Sequence, residues 1–525
     1  MDASKIAIIL LNISEEYVEL MQQYLNALRK PEGYEVELVI CNKDHGMTHA
    51  FAEGMVCSDA KYKVYIPPDT IIIYENIFEE CLRIFKRDKH IGAIGVLGAH
   101  QLSTTTEIFK SYGLQGRILF RDGEQKIYSG SRKGIQILSE NLLITQYDVS
   151  WRETQYTEQD YVFRAQSIEF TRKGYKLSVP EQEDFWIIGA KENIIGEENK
   201  QAFHDEYAED IFPLVTVIIP TYERRDYFKQ ALDSVLSQDY KNLDIFITDN
   251  SNSDDTEQLM KAHYLQDKRI KYIHHPEWGL KENTESAMGY NNPKADYVNW
   301  LMDDDLFLPG KISTMMEYFF QHPKVGIVTS YRGLINENGD LLHDRHVTLS
   351  DGSETLYLTG EEAGRQMLVE VSDNLGEPTT PLLKKKYMRD GYTMGWEMKE
   401  GLYFIIDFTT WLKMLTKCDC IFILKSYSYF RVHDGSMSKT LFTQCAISIC
   451  WAYYIRKAIN EGLFLTNDEE KNKSISTWLS IAEKNLKEAI ERDYHGDEIE
   501  DLRIVYAAME KALNNGYYIE FKLEG

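Results

Sequence analysis

The chain has 525 residues, 43% hydrophobic and 12% aromatic, with a formal net charge of −25. Such a composition supplies packed cores, and the length suggests about three domains. The acidic balance excludes a general nucleic-acid or anionic-membrane surface, since phosphates would be repelled, but leaves open a nucleotide held by a local cation.

Seven cysteines stand at positions 41, 57, 81, 418, 420, 445 and 450. Cys418-Asp419-Cys420 has no second pair at zinc-site spacing, so all seven are expected to be reduced core thiols of a cytoplasmic protein. The opening segment, MDASKIAIILLNISEEY, lacks a basic flank and a long apolar run. It reads as a first strand rather than a signal peptide. No run reaches the ~18 apolar residues of a membrane span.

In chain order, residues 5–11 (KIAIILL) form a continuous apolar run, as in a strand buried on both faces. Helical spacing follows over 15–29, then a strand over 36–41, a helix over 50–56 and a strand over 62–66 that ends at Pro67-Pro68-Asp69. A helix over 77–85 and a glycine-punctuated strand over 91–97 continue the alternation. Alternating strands and helices predict a mostly parallel sheet whose ligands sit beyond the carboxyl ends of strands. Asp69 occupies such an end, but a single carboxylate is a weak metal signal. Residues 191–212 are polar and acidic and read as a linker helix.

The alternation then repeats. Strands are predicted over 214–219, where Pro220-Thr221-Tyr222 breaks the run, and over 243–248, 270–273 and 297–302. Helices are predicted over 224–236, 256–263 and 282–290. The fourth strand delivers Asp303, Asp304 and Asp305 side by side. Three anions at the end of a buried strand are costly unless a cation or hydrogen-bond donors meet them. Hard carboxylate oxygens suit Mg²⁺ or Mn²⁺, ions that share their coordination with substrate phosphates. Further on, Asp407 is one carboxylate inside an apolar run (YFIIDFTTWLKML), and a lone buried acid has a partner or a task. Lys384-Lys385-Lys386 reads as a solvated helix start. Helical periodicity over 441–459, 474–492 and 497–514 predicts a helical tail that packs on the second unit or on another subunit.

Two stretches carry a family resemblance. Residues 213–440 hold IPTYERRDYFKQALDSVLSQDYKNLDIFITDNSNSDDT, then GLKENTESAMGYNNPKADYVNWLMDDD, and close with YFRVHDGSMS. Their order and spacing resemble the nucleotide-binding half of bacterial family 2 glycosyltransferases. The resemblance implies a GT-A fold, a nucleotide-sugar donor (here expected to be a UDP-sugar), Mn²⁺ or Mg²⁺, and inversion at the sugar carbon. It also implies roles by position. Thr221 and Glu223, beside Pro220 and Tyr222, would line the base and ribose pocket. Asp249 would accept a hydrogen bond from a pyrimidine N–H, with helix capping as its structural alternative. Lys281 and Asn283 fall in the donor-contacting loop. Asp305 would hold the metal with His433, while Asp303 and Asp304 share contacts to ribose or metal without being told apart. Ser436 and Ser438 would meet phosphate oxygens, and Asp407 would be the catalytic base.

Residues 146–180, with what precedes them, resemble the nucleotide-sugar-binding domain of family 2-like glycosyltransferases. There the metal motif is reduced to Asp69, and Gly189-Ala190 stand where relatives carry His and Asp. The expectation is therefore two tandem GT-A-type α/β units: 1–205 non-catalytic, 213–440 catalytic, and 441–525 helical. Partners expected are the donor and a hydroxyl-bearing glycan, lipid-linked sugar or protein. Self-association through either end of the chain stays open. Two rivals remain at this point, a bifunctional enzyme with both units active and a non-catalytic nucleotide-sugar-binding protein.

Overall fold

The computed structural model describes residues 1–42, 46–130, 134–152, 161–190, 197–342, 355–388, 407–433 and 440–521. Ser436 and Ser438 lie outside them, as does Ile406 before Asp407. The chain forms two compact units, Met1–Phe212 and Pro213–Gly525.

In the first unit the core sheet has six strands: β1 (Asp2–Asn12), β2 (Glu35–Asn42), β3 (Ala60–Ile66), β4 (Ile91–Ile94), β5 (Leu143–Thr145) and β6 (Lys176–Ser178), in the order β6-β4-β5-β3-β1-β2. β1 runs parallel to β2 and β3, and β5 is inserted antiparallel between β3 and β4. The run expected over 91–97 divides. Ile91–Ile94 stays in this sheet, while Leu97–Ala99 joins a second, smaller sheet with Gln115–Phe120. Helix α1 (Val162–Arg172) packs on this unit, as does α2 (Glu197–Ile211), which is less a free linker than part of the first unit. Phe203 of α2 stacks on Tyr161 with centroids 4.3 Å apart, and Arg172 reaches Asp210 at 2.7 Å.

The second unit repeats the plan. The main path of its sheet has β7 (Leu214–Thr221), β8 (Leu243–Asp249), β9 (Ile270–His274), β10 (Ala295–Trp300), β11 (Leu306–Phe307), β12 (Val325–Ile335), β13 (Leu382–Lys384) and β14 (Asp419–Arg431), with Leu341–Leu342 and Thr355–Leu358 paired off it. They follow the order β9-β8-β7-β10-β13-β12-β14-β11. β7 is parallel to β8 and β10, and β13 is inserted antiparallel between β10 and β12, as β5 is in the first unit. Pro220 does not break β7. It pairs opposite Thr248 where the β10 ladder has already ended at Trp300, and a proline is tolerated once one neighbour is gone. The lysine run does start a short 3-10 turn, Lys385–Tyr387, with Lys386 exposed, but its first two lysines are engaged. Lys384 ends β13, with its ammonium 5.7 Å from the Tyr297 ring centroid, and Lys385 donates to the Asn292 carbonyl at 2.6 Å.

Helices of this unit are α3 (Arg225–Leu236), α4 (Asp255–His263), α5 (Leu280–Gly289), α6 (Lys311–Gln321), α7 (Gly360–Glu370), α8 (Asp407–Leu415), α9 (Leu441–Glu461), α10 (Asp468–Glu491) and α11 (Asp497–Asn514). The last three share one core with the sheet: Trp411, Ile449, Trp478 and Leu502 are all buried in a single cluster with Val298 and Ile327. Trp478 donates its indole N–H to the Ser448 carbonyl at 2.7 Å, so its polar atom is satisfied inside that core. Six cysteines are buried as expected, but Cys57 is exposed at the end of its helix. Among the described residues no helix is long and apolar enough to cross a membrane.

Candidate functional site

The carboxyl ends of β7, β8 and β10 converge, and the polar residues that the sequence singled out collect there. Asp303 is buried. Its carboxylate accepts from Thr221 Oγ1 at 2.9 Å, from the Tyr222 N–H at 3.2 Å and from Arg224 Nη1 at 3.0 Å. Asp304 accepts from the same Arg224 nitrogen at 2.8 Å and lies 2.9 Å from His433 Nε2. Asp305 turns the other way, into the core. Its oxygens accept from Thr379 Oγ1 at 2.6 Å and from the Arg431 N–H at 3.0 Å. The sequence reading paired Asp305 with His433; the structure places Asp304 beside His433 and gives both Asp305 oxygens protein donors.

This side-by-side arrangement is strongly anionic. Burial and the charge of Asp304 push the Asp303 carboxyl up to about 6, against the pull of Arg224 and Thr221. Burial and Asp304 also raise Asp305 well above the usual carboxylate range, against Thr379 and the Arg431 N–H. Arg224 alone does not offset these charges, and a further cation would. The donor set fits one. Asp304 Oδ2 and His433 Nε2, 2.9 Å apart, are the two side chains that would hold it.

Glu223 takes the left-handed backbone conformation (φ 53°), which a non-glycine residue enters at a cost of ~1 kcal/mol. Its hydrogen bonds explain why. The N–H meets Ser251 Oγ at 2.8 Å, and the carboxylate accepts from the Asn252 and Ser253 N–H groups at 2.7 and 3.2 Å. These bonds, that from Asn252 foremost, hold its carboxyl below the usual range. Glu223 thus braces the loop after β8. Asp249 is wholly buried and takes the Ser251 N–H at 2.8 Å and the Tyr272 hydroxyl at 2.7 Å. Asn283 accepts from Thr248 Oγ1 at 2.6 Å and tethers α5 to the strand ends, while Lys281 is exposed in the first turn of that helix.

The residue after Asp249 was missed by the sequence reading. Asn250 is buried at the same strand end, gives its amide to the Trp278 carbonyl at 3.1 Å, and has an Oδ1 with no hydrogen-bond partner among the described residues. Its only sequence signal was its place in the loop. Arg224, Thr379 and Arg431 were missed as well. Arg431, 1% exposed, donates Nε to the Asp304 carbonyl at 2.8 Å and Nη2 to Gln230 at 2.9 Å, so it fixes the backbone of the aspartate turn.

Asp407 opens α8, half-buried, with Oδ1 accepting the Phe408 N–H at 2.8 Å. Burial pushes its carboxyl up to about 6; the Phe408 N–H lowers it and the charge of Glu377 raises it further. Glu377, held by Arg332 Nε at 2.7 Å, also acts on Asp305, so it stands electrostatically between the aspartate turn and α8. A cavity of about 420 Å³ opens beside it, lined among others by Tyr331, Arg332, Asp373, Asn374 and Phe422.

The corresponding place in the first unit is compensated internally. Asp69, at the end of β3, forms an ion pair with Arg121 at 3.0 Å. Ile187–Gly189 is a strand paired to Ile71–Ile72 and Gln115–Phe120, and Trp186 stacks on Tyr74 with centroids 5.3 Å apart.

Residues 7–209 match the family described as "Glycosyltransferase like family" and residues 216–374 match "Glycosyl transferase family 2". Among curated relatives, GalNAc(5)-diNAcBac-PP-undecaprenol beta-1,3-glucosyltransferase of Campylobacter jejuni is 33% identical over 105 residues, 20% of this chain and 34% of that protein. Glycosyltransferase GlyG of Streptococcus pneumoniae is 21% identical over 242 residues, 44% of this chain and 74% of that protein. The chain spans only about a third or less of the first curated relatives it matches. Among solved structures, S. aureus TarS 1–349 in complex with UDP-GlcNAc aligns at TM-score 0.35 and 14% identity, covering 57% of this chain and 92% of that one.

Proposed function

From a chain that belongs to the family 2 glycosyltransferases and carries two GT-A-type α/β domains in tandem with a helical C-terminal region, we propose that the second unit is the catalyst. It transfers a sugar from a nucleotide donor to a hydroxyl acceptor with inversion. The observation that carries this reading is the cluster of three carboxylates with Arg224 and His433 at the ends of β7, β8 and β10, with an elevated carboxyl at Asp407 on α8.

The nucleoside lies over the strand ends. The free Asn250 Oδ1 is an acceptor suited to the N–H of a uracil ring, and the exposed Tyr222 ring borders the same loop through the Asn252–Tyr222 hydrogen bond at 3.0 Å. This assigns base reading to Asn250 and gives Asp249 the task of holding the loop. A divalent ion, Mn²⁺ or Mg²⁺, on Asp304 and His433 would offset charge on the departing diphosphate. Arg224 bridges Asp303 and Asp304 through one nitrogen and limits their mutual repulsion. Asp407 takes the proton from the acceptor hydroxyl as that oxygen forms its bond to C1 of the sugar. The bond from C1 to the diphosphate oxygen breaks on the opposite face, and the nucleoside diphosphate leaves with its electron pair. A carboxyl near 6 is ionised at neutral pH yet more basic than an ordinary aspartate, which suits this task. The cavity beside Glu377 offers the acceptor a place within reach of α8. The first unit, with Asp69 bound to Arg121 and no His at its closing strand, is non-catalytic in this reading.

The test is a panel of nucleotide sugars with Mn²⁺, scoring released nucleotide for wild type, Asp304→Ala, Asp407→Asn and Asp69→Ala. Turnover lost in the first two variants and kept in the third supports the assignment. Loss in Asp69→Ala with folding intact would make the enzyme bifunctional, and metal-dependent nucleotide binding without turnover under any donor and acceptor would leave a binding protein.

A further inference from the structure

The cavity of about 420 Å³ beside Glu377 has a lining of mixed chemistry, and its volume falls within the ~300–1,000 Å³ of small-molecule sites. One wall is aromatic: Tyr331 of β12 and Phe422 of β14 meet edge to face with centroids 4.9 Å apart. Among the described lining residues Arg332 is the one cation, against Glu370, Asp373 and Glu377. Glu377 takes up that cation, its carboxylate accepting from Arg332 Nε at 2.7 Å. Two carboxyl groups are left over. Glu370, exposed near the end of α7, accepts from the Asn374 amide at 2.9 Å through Oε2. Asp373 accepts from the Leu375 and Gly376 N–H groups at 3.1 and 3.2 Å through Oδ1. Among the described residues the second oxygen of each takes no hydrogen bond. The loop that carries Asp373 and Glu377 also touches both reacting ends of the site. The Trp411 indole of α8 donates to the Gly376 carbonyl at 3.1 Å, and Thr379 Oγ1 donates to Asp305 at 2.6 Å.

Resting on the transferase reading above, we propose that this cavity receives a sugar ring without negative charge, so that the acceptor hydroxyl belongs to a neutral or amino saccharide rather than to a phosphorylated or uronic one. A pyranose presents a face of C–H bonds and a rim of hydroxyls. Tyr331 and Phe422, with Met367 and Leu375, give that face apolar surface. The spare oxygens of Glu370 and Asp373 serve the rim: an ionised carboxyl accepts from a hydroxyl, and a protonated one can also donate to it. An aliphatic ligand would cover these oxygens and leave them without partners. An anionic one would meet charge of its own sign. Burial raises the Asp373 carboxyl well above the usual range and the charge of Asp407 raises it further, so this corner of the cavity resists added negative charge. Glu370 at the rim and the chain's net charge of −25 act in the same sense.

The experiment uses the full chain with Mn²⁺ and reads binding and transfer separately. Saturation-transfer NMR follows the methyl glycosides of glucose, galactose and mannose beside the three matched methyl uronides, each pair differing by one carboxylate. Transfer is scored by product mass with the nucleotide sugar that the donor panel selects. At least one neutral glycoside should bind saturably and be glycosylated, and its uronide should be about tenfold or more weaker in both readouts, as one like-charge contact would give. Glu370→Lys should shrink that gap by a similar factor. Phe422→Ala should weaken the neutral ring about fivefold, and the exposed Glu370→Lys carries the test if Phe422→Ala does not fold. Uronides bound or glycosylated as well as the neutral rings, a gap unchanged in Glu370→Lys, or transfer to a serine peptide and to no glycoside would each overturn the proposal. Neutral-ring binding with this charge preference, but no turnover of any donor, would support the cavity's ligand class and count against the transferase reading alone.

Discussion

Asp407→Asn should make the protein more stable and inactive. The wild-type carboxyl is moved from an ordinary 3.8 to about 6. At 1.36 kcal/mol per unit, an ionised Asp407 costs the folded state up to ~3 kcal/mol at neutral pH. Half-burial leaves water within reach, so a gain of about 1–2 kcal/mol is expected on removing the charge. Asparagine keeps an acceptor for the Phe408 N–H at 2.8 Å, so the start of α8 need not fray. The sign follows from linkage. A carboxyl whose folded-state value is raised gives stability that is complete below its unfolded value and is lost as pH rises through about 6. The advantage of the variant should therefore be full at about pH 7.5 and vanish near pH 4. Urea unfolding at both pH values measures it. Sugar transfer should fall by about a hundredfold or more, the usual worth of a general base, with donor affinity kept. The wild-type kcat/KM should decline below about pH 6. An equal stability change at both pH values, or a loss of stability at neutral pH, would show that Asp407 is not a strained, ionised carboxylate, and its assignment as base would fall.

Other perturbations test the frame around the site. Arg224→Met leaves Asp303 and Asp304 without their shared cation; because Arg224 is 32% exposed, a cost of about 2 kcal/mol is expected, lower than for a fully buried pair, and Mn²⁺ should restore part of it in a melting curve. Thr379→Val strands an Asp305 oxygen and the Met302 N–H together, and should lower stability by about 2–3 kcal/mol in chemical denaturation. Lys311 is buried with its ammonium on the Thr380 carbonyl, and burial lowers it to about 7. Since the unfolded chain keeps this proton up to 10.5, the residue makes stability rise between about pH 7 and 10.5; that rise should be absent from Lys311→Met and appear in the difference between wild type and variant. Chelation by EDTA should stop nucleotide release, and Mn²⁺ should restore it.

Much of the frame was legible because the information is local. The apolar run at residues 5–11 and the strand-like run at 214–219 are what a parallel strand buried on both faces requires, and both form such strands. The inserted antiparallel strands Leu143–Thr145 and Leu382–Lys384 were not legible, since three residues carry no period and their pairing is decided by neighbours far along the chain. The aspartate turn shows the same limit at the level of roles. That Asp303, Asp304 and Asp305 belong together could be read from their adjacency. Which one meets His433 depends on the direction each side chain takes. That is set by Thr379, Arg224 and the Arg431 backbone, three groups from three separate segments. Asn250 was hidden for a different reason: its signal is an unsatisfied acceptor, and only a folded neighbourhood can leave an atom unsatisfied.

The two units, built on the same strand plan, differ most in how their charge is settled. In the first, Asp69 meets Arg121 one to one, and the closing strand ends at Gly189, so among the described residues that strand end does not call for a further ion. In the second, Arg224 meets Asp303 and Asp304 while Asp305 turns to Thr379 and the Arg431 N–H, and burial together with the charge of Asp304 pushes Asp303 and Asp305 up. A fold selected only for stability would remove such an imbalance, as breaking or underpaying buried charge costs several kcal/mol. Its presence beside His433, in a turn otherwise fixed by Arg431, Thr379 and Thr221, is the physical ground for the proposal that the chemistry belongs to the second unit. Resemblance alone would place it in either.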